Sequence, residues 1–250
     1  MALSVLALSE LALSEVALSE VAGEVWGRAT TVQDPPPREV VLVIVAVALA
    51  LVLHPLTWHW VRHLVTVVHE AGHAFVALLV GRRLSGIRLH SDTSGVTVSR
   101  GRPRGPGMVA MLCAGYLAPA AVGLGASVLL ANGRALALLW LVVLALVLMF
   151  LQIRNWYGAL VLLVIGAGLA AASWYLSASV QSTIAHLLTW VLLFAAPKPV
   201  LELMRERRGR RTGSDADQLA RLTPLPAGFW IGVFGLANLA GLALALFAVI

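Results

Sequence analysis

Charge is what this chain has least of. Only 12% of its 250 residues are Asp, Glu, Lys or Arg, about half the share found in soluble domains. So little polar surface excludes an ordinary soluble fold. Cysteine is nearly absent too: Cys113 stands alone, which excludes an intramolecular disulfide. Its place in an apolar run predicts a buried, inert thiol. Aspartate is limited to Asp34, Asp92, Asp215 and Asp217, a short roster for any chemistry that needs one.

What fills the chain instead is apolar. It is 60% hydrophobic with a mean hydropathy of +0.89, and long apolar runs account for the excess. The expected fold class is all-α, a polytopic transmembrane helical bundle. The net charge of +6 does not point to nucleic acid. Of 18 Lys and Arg, six lie between Arg82 and Arg104 and seven between Lys198 and Arg221. Basic loops flanking apolar spans follow the positive-inside rule, so the lipid bilayer and its anionic headgroups are the expected partners.

Residues 2–21 repeat a pentad, ALSVL, ALSEL, ALSEV, ALSEV. A five-residue step turns a helix by about 140°, so Glu10, Glu15 and Glu20 spiral instead of forming one face. The repeat reads as low-complexity sequence, not a signal peptide. Asp34-Pro35-Pro36-Pro37 then forms a stiff linker. The chain thus divides into residues 1–37 and a membrane-embedded domain over 38–250. Seven spans are expected, at about 40–53, 58–80, 108–131, 135–152, 158–176, 180–196 and 227–249. The first is short for a crossing, which takes roughly 20 residues. Within 82–107, two alternating runs about Ser94-Gly95 predict a small hairpin. With both basic loops in the cytoplasm, the N-terminus falls inside, the loop at Arg134 outside, and the second span descends from outside to inside.

The second span contains His69-Glu70-Ala71-Gly72-His73. Ionisable groups inside a membrane segment are functional candidates by default. Two histidines four residues apart differ by about 40° in azimuth, so both imidazoles leave one helix face and can share a metal ion. Zn2+ suits two neutral imidazoles plus a carboxylate, and it brings a bound water's pKa to near 7. Glu70, one residue on, is placed to take that water's proton and return it to a leaving amine. Gly72 lets another backbone approach beside the metal, or simply serves small-residue packing.

A catalytic zinc needs a third protein ligand and an open position. Asp34 belongs to the linker, and Asp92, in His90-Ser91-Asp92-Thr93-Ser94-Gly95, has the surroundings of a turn residue. That leaves Ser214-Asp215-Ala216-Asp217. Ser214 and Asp217 have capping-box spacing, which would occupy Asp217 and leave Asp215 as the freer carboxylate. Asp215 is therefore the expected ligand, with Asp217 the second choice, although both could simply favour a helix dipole. His186 is expected to be a hydrogen-bonded packing residue. His59 and His63 share the four-residue spacing but point away from His69 and His73, which suggests an interfacial role. Asn155, in the polar break Arg154-Asn155-Trp156-Tyr157-Gly158, either orients a substrate backbone or forms a plain turn.

Three of these pieces together resemble the site-2-protease-type intramembrane zinc metalloproteases, in their bacterial B-like branch. They are the His69–His73 motif, Arg154–Gly158, and Ser214-Asp215-Ala216-Asp217-Gln218-Leu219-Ala220-Arg221-Leu222-Thr223. The resemblance spans about residues 40–250. It implies a multi-pass integral protein of the bacterial plasma membrane that uses zinc to cleave membrane-embedded protein segments. In one respect the chain departs from that family, which takes its third ligand from an Asp followed by Gly. No Asp-Gly occurs here, so either the Ser214–Asp217 element replaces it or the protein is a non-catalytic relative. The competing function is a membrane metal-binding scaffold or transporter whose histidines hold an ion without hydrolysis.

Overall fold

Apolar runs punctuated by proline, glycine and short polar turns fold here as a helical bundle. The computed structural model describes residues 16–17, 19–207 and 213–249, so most of the pentad repeat lies outside the described residues. Residues 19–30 are helical and lead through an irregular 31–37 into α1 (Arg38–Leu53) and α2 (Pro55–Leu79). The hairpin follows, β1 (Arg83–Leu89) and β2 (Gly95–Arg100). Next come α3 (Pro106–Ala131), α4 (Ala135–Phe150), α5 (Trp156–Tyr175) and α6 (Ala178–Ala195). Two short helices, α7 (Lys198–Glu206) and α8 (Asp215–Leu222), precede α9 (Ala227–Val249).

The termini of these helices follow local chemistry. Proline occupies the first turn of α2, α3 and α7, where its missing N–H costs no hydrogen bond. Four helical stretches are long and apolar enough to cross a membrane: α3, α5, α6 continuing into α7, and α9. A fifth is reached if α1 and α2 count as one broken span. The α4 helix has only 16 residues, about 24 Å of helix against a hydrocarbon core of roughly 30 Å.

Helices α1 and α2 depart from the expected pair of separate spans. The chain bends by 97° between them. Pro55 opens α2 with His54 in extended backbone, because a residue preceding proline avoids the helical region. Before α1, Gln33 N–H donates to Gly133 O at 2.9 Å, and the Arg134 guanidinium donates to Thr30 O. Arg28 donates to Trp174 O at 2.8 Å. The approach to α1 therefore lies at the same end as the α3–α4 turn, not at the opposite end as the span count had implied. At the far end of α1, Lys198 Nζ donates to Val52 O at 2.7 Å. A hydropathy window sees two apolar segments here, but it cannot see the corner.

The hairpin forms at the other end of the bundle, with the turn over residues 90–94 and Ile87 paired to Thr97. The outer edge of β1 is covered in turn. Ile87 N–H donates to Gln152 O at 2.8 Å, and Arg154 N–H donates to Ile87 O at 2.9 Å. Three apolar clusters hold the helices together: the hairpin with α4 and α5, α1 with α2 and α6, and the start of α3 with α7, α8 and α9. Apolar burial brings little gain in lipid, so close packing between small residues matters more. At Gly72 a Cβ would stand 2.5 Å from Ala118 Cβ and 2.8 Å from Ala114 O, so α2 and α3 meet there with nothing to spare.

Candidate metal centre

Helix α2 presents His69 and His73 on one face, and α3 fixes how they are held. His73 Nδ1–H donates to Met111 O at 2.7 Å, which leaves Nε2 with its lone pair free for a metal. The ring of His69 meets Tyr116 edge-on at 4.8 Å. Tyr116 is stacked in turn on Phe234 of α9 at 5.0 Å, and Asn238 Nδ2 donates to Tyr116 O at 3.0 Å. Gly115 leaves room between the rings and α3. A Cβ there would come within 2.4 Å of His73 Nε2 and 2.6 Å of His69 Nε2.

The carboxylate arrives from α8. Ser214 caps that helix, its Oγ accepting from the Asp217 N–H at 3.4 Å, and donating to Asp217 Oδ2 at 3.2 Å. Arg207 holds Asp217 Oδ1 at 2.7 Å. Asp217 is thus committed to anchoring α8, whereas Asp215 at the first helical position points at the histidines. Asp215 Oδ2 lies 3.3 Å from His69 Nε2 and 3.2 Å from His73 Nε2, and the two Nε2 atoms are 3.0 Å apart.

These three donors fit a zinc ion. A tetrahedral site with bonds of about 2.0–2.1 Å has neighbouring donors roughly 3.3–3.4 Å apart, close to the triangle present here. Two imidazoles and one carboxylate leave a fourth position for water or substrate. Among the described residues, this is the group of three His, Cys, Asp or Glu side chains able to share a metal.

Glu70 is buried beside the cluster, and its partner comes from the hairpin: Thr97 Oγ1–H donates to Glu70 Oε2 at 2.5 Å. Neither Thr97 nor Gly95, Gly115, Tyr116 and Asn238 carries a sequence signal, because each acts through contacts between distant elements. Asn155 is engaged with β1. It accepts from Leu89 N–H at 3.2 Å and donates to Leu89 O at 2.6 Å, extending the pairing begun at Ile87. Asp92 makes the turn, accepting from Ser94 N–H at 3.0 Å and Ser94 Oγ at 2.7 Å. His186 donates within its own helix to Ser182 O at 2.8 Å. Cys113 is a half-buried free thiol.

His63 differs from its expected interfacial role. It is buried, with Nε2 hydrogen-bonded to Tyr157 Oη at 3.1 Å, because the Tyr157 side chain reaches it from the start of α5. His59, one turn away, is exposed. A cavity of about 1120 Å³ lies between α2, α3, α4, α5 and α6, with an apolar lining that includes Phe75, Ala114 and Met149. None of His69, Glu70, His73 or Asp215 lines it.

Bundled apolar helices, with a histidine–aspartate cluster able to hold a metal, define a membrane protein of metalloprotease type. The chain belongs to the Peptidase M50B-like family, whose family model matches residues 42–245. That places it among the site-2-protease-type membrane metalloproteases. No curated protein and no solved structure matches it.

Proposed function

We propose that the protein is an intramembrane zinc endopeptidase that hydrolyses peptide bonds of membrane-spanning protein substrates. His69, His73 and Asp215 are its metal ligands and Glu70 its general base. The donor triangle of 3.0–3.3 Å beside a buried glutamate is the observation that carries this reading. When bound, zinc supplies Lewis acidity and brings a water's pKa to near 7. Glu70 takes the proton of the attacking water and returns it to the leaving amine nitrogen. The Met111 carbonyl keeps His73 in the tautomer that binds through Nε2. Asp217, anchored to Arg207, sets the helix that delivers Asp215.

An intact substrate helix hides its carbonyls within its own hydrogen bonds, so it must unwind locally before attack. The hairpin offers an extended segment a place to pair. Pairing with 152–154 covers β1, while β2 is left at the edge with Val96 and Val98 exposed. Strand addition there would hold the segment beside Glu70. The basic residues of 82–104 and Arg154 share this end of the bundle, which favours a cytoplasmic hairpin in a multi-pass protein of the bacterial plasma membrane. Residues 38–250 form the functional unit, with α1 and α2 counted as one broken span beside the other apolar helices.

Replacing Glu70 tests the assignment. Glu70→Gln keeps zinc at the wild-type level and lowers cleavage of a transmembrane substrate by roughly 10²–10⁴-fold. Undiminished cleavage removes the protease reading. A wild-type protein that holds zinc and cleaves nothing supports a metal-binding scaffold or transporter instead.

A further inference from the structure

The carboxylate of Glu70 is held by a neighbour from outside the His69–His73 motif. Strand β2 alternates, sending Gly95, Thr97 and Ser99 inward while Val96, Val98 and Arg100 face out. Thr97 Oγ1 donates to Glu70 Oε2 at 2.5 Å and also lies 3.2 Å from the Glu70 carbonyl oxygen. Gly95 lies against the same side chain, for a Cβ there would come 2.7 Å from Glu70 Cγ, 2.8 Å from Oε1 and 2.9 Å from Cδ. Glu70 Oε1 has no hydrogen-bond partner among the described residues.

We propose that Thr97 is the positioning residue for Glu70: its hydroxyl ties Oε2 and leaves Oε1 as the oxygen that exchanges the catalytic proton. The inference rests on the reading of Glu70 as general base. A free glutamate side chain samples many rotamers, and ordering it during each turnover would cost entropy. A hydroxyl bond to the charged carboxylate, over a glycine floor, removes that freedom beforehand. Thr97 sits on the strand whose outer edge is open. Movement of β2 on pairing with an extended segment would therefore carry the base with it.

The test uses the full chain, purified and zinc-loaded, with a quenched fluorescent peptide containing one apolar span broken by Gly-Pro. Thr97→Val, similar in shape but without the hydroxyl, lowers kcat roughly 10- to 100-fold. KM and zinc per chain stay at wild-type values, and Thr97→Ser restores most of the rate. Gly95→Ala, which pushes a methyl group into the Glu70 side chain, lowers kcat in the same way, and it decides the matter if Thr97→Val does not fold. The inference is overturned by a Thr97→Val enzyme with wild-type kcat, by a loss confined to KM, or by a Thr97→Ser enzyme no better than Thr97→Val. If wild type cleaves no faster than Glu70→Gln, the functional reading falls and takes this inference with it. Wild-type cleavage with an undiminished Thr97→Val rate overturns this inference alone.

Discussion

Helix α2 carries two histidine pairs with the same spacing and nearly the same ring geometry, yet they have different fates. His69 and His73 meet edge-to-face at 4.7 Å, and His59 and His63 do so at 4.9 Å. The first pair faces the Asp215 carboxylate, the Met111 carbonyl and the bare backbone of Gly115. In the second, His63 is bonded to Tyr157 and His59 faces outward. A four-residue spacing creates a pair of imidazoles, but the elements packed against it decide whether the pair becomes a metal site. Two donors without a third do not make a closed set for zinc.

The sharpest way to break the comparison is to remove one imidazole from each pair. His73→Ala lowers zinc affinity by on the order of 10²–10³-fold, one donor's share of a typical structural-zinc binding energy, and cleavage goes with it. His59→Ala leaves zinc per chain unchanged. Metal analysis of the purified variants reads both, and zinc loss in His59→Ala would mean that the two pairs were wrongly ranked. The same logic applies to the two aspartates of α8. Asp215→Asn releases zinc, whereas Asp217→Asn keeps most of it and destabilises the α8 anchor by about 1–3 kcal/mol, seen as a lower Tm.

A subtler change keeps every ligand and alters only the space around them. Gly115→Ala puts a methyl within 2.4 Å of His73 Nε2, so one ring must move. Zinc affinity falls by about 10–100-fold, the range for disturbed ligand orientation, measured by competition with a chelator. The smallest effect belongs to Tyr157→Phe, which removes the partner of His63. It costs about 0.5–1.5 kcal/mol of stability and leaves zinc affinity unchanged.

The motif on α2 was legible because its information is local: a helical repeat places His69 and His73 together without reference to the rest of the chain. The cap at Ser214 was legible for the same reason, and it separated Asp215 from Asp217 before any contact was visible. The hairpin announced itself through alternation, and the helices through their apolar runs. The corner at His54-Pro55 was harder to read, since either apolar segment on its own looks like a span. Thr97, Gly95 and Gly115 were illegible. Their roles arise where β2 and α3 pack against α2, and nothing in a single strand or helix records what will face it.

X-ray absorption at the zinc edge tests the central claim most directly, on purified wild-type protein and on Asp215→Asn. The account predicts a first shell of nitrogen and oxygen at about 2.0–2.1 Å with imidazole scattering from two histidines, and loss of the metal or an altered shell in Asp215→Asn. A sulfur scatterer at about 2.3 Å, which would bring in Cys113, or a shell indifferent to Asp215 would contradict it.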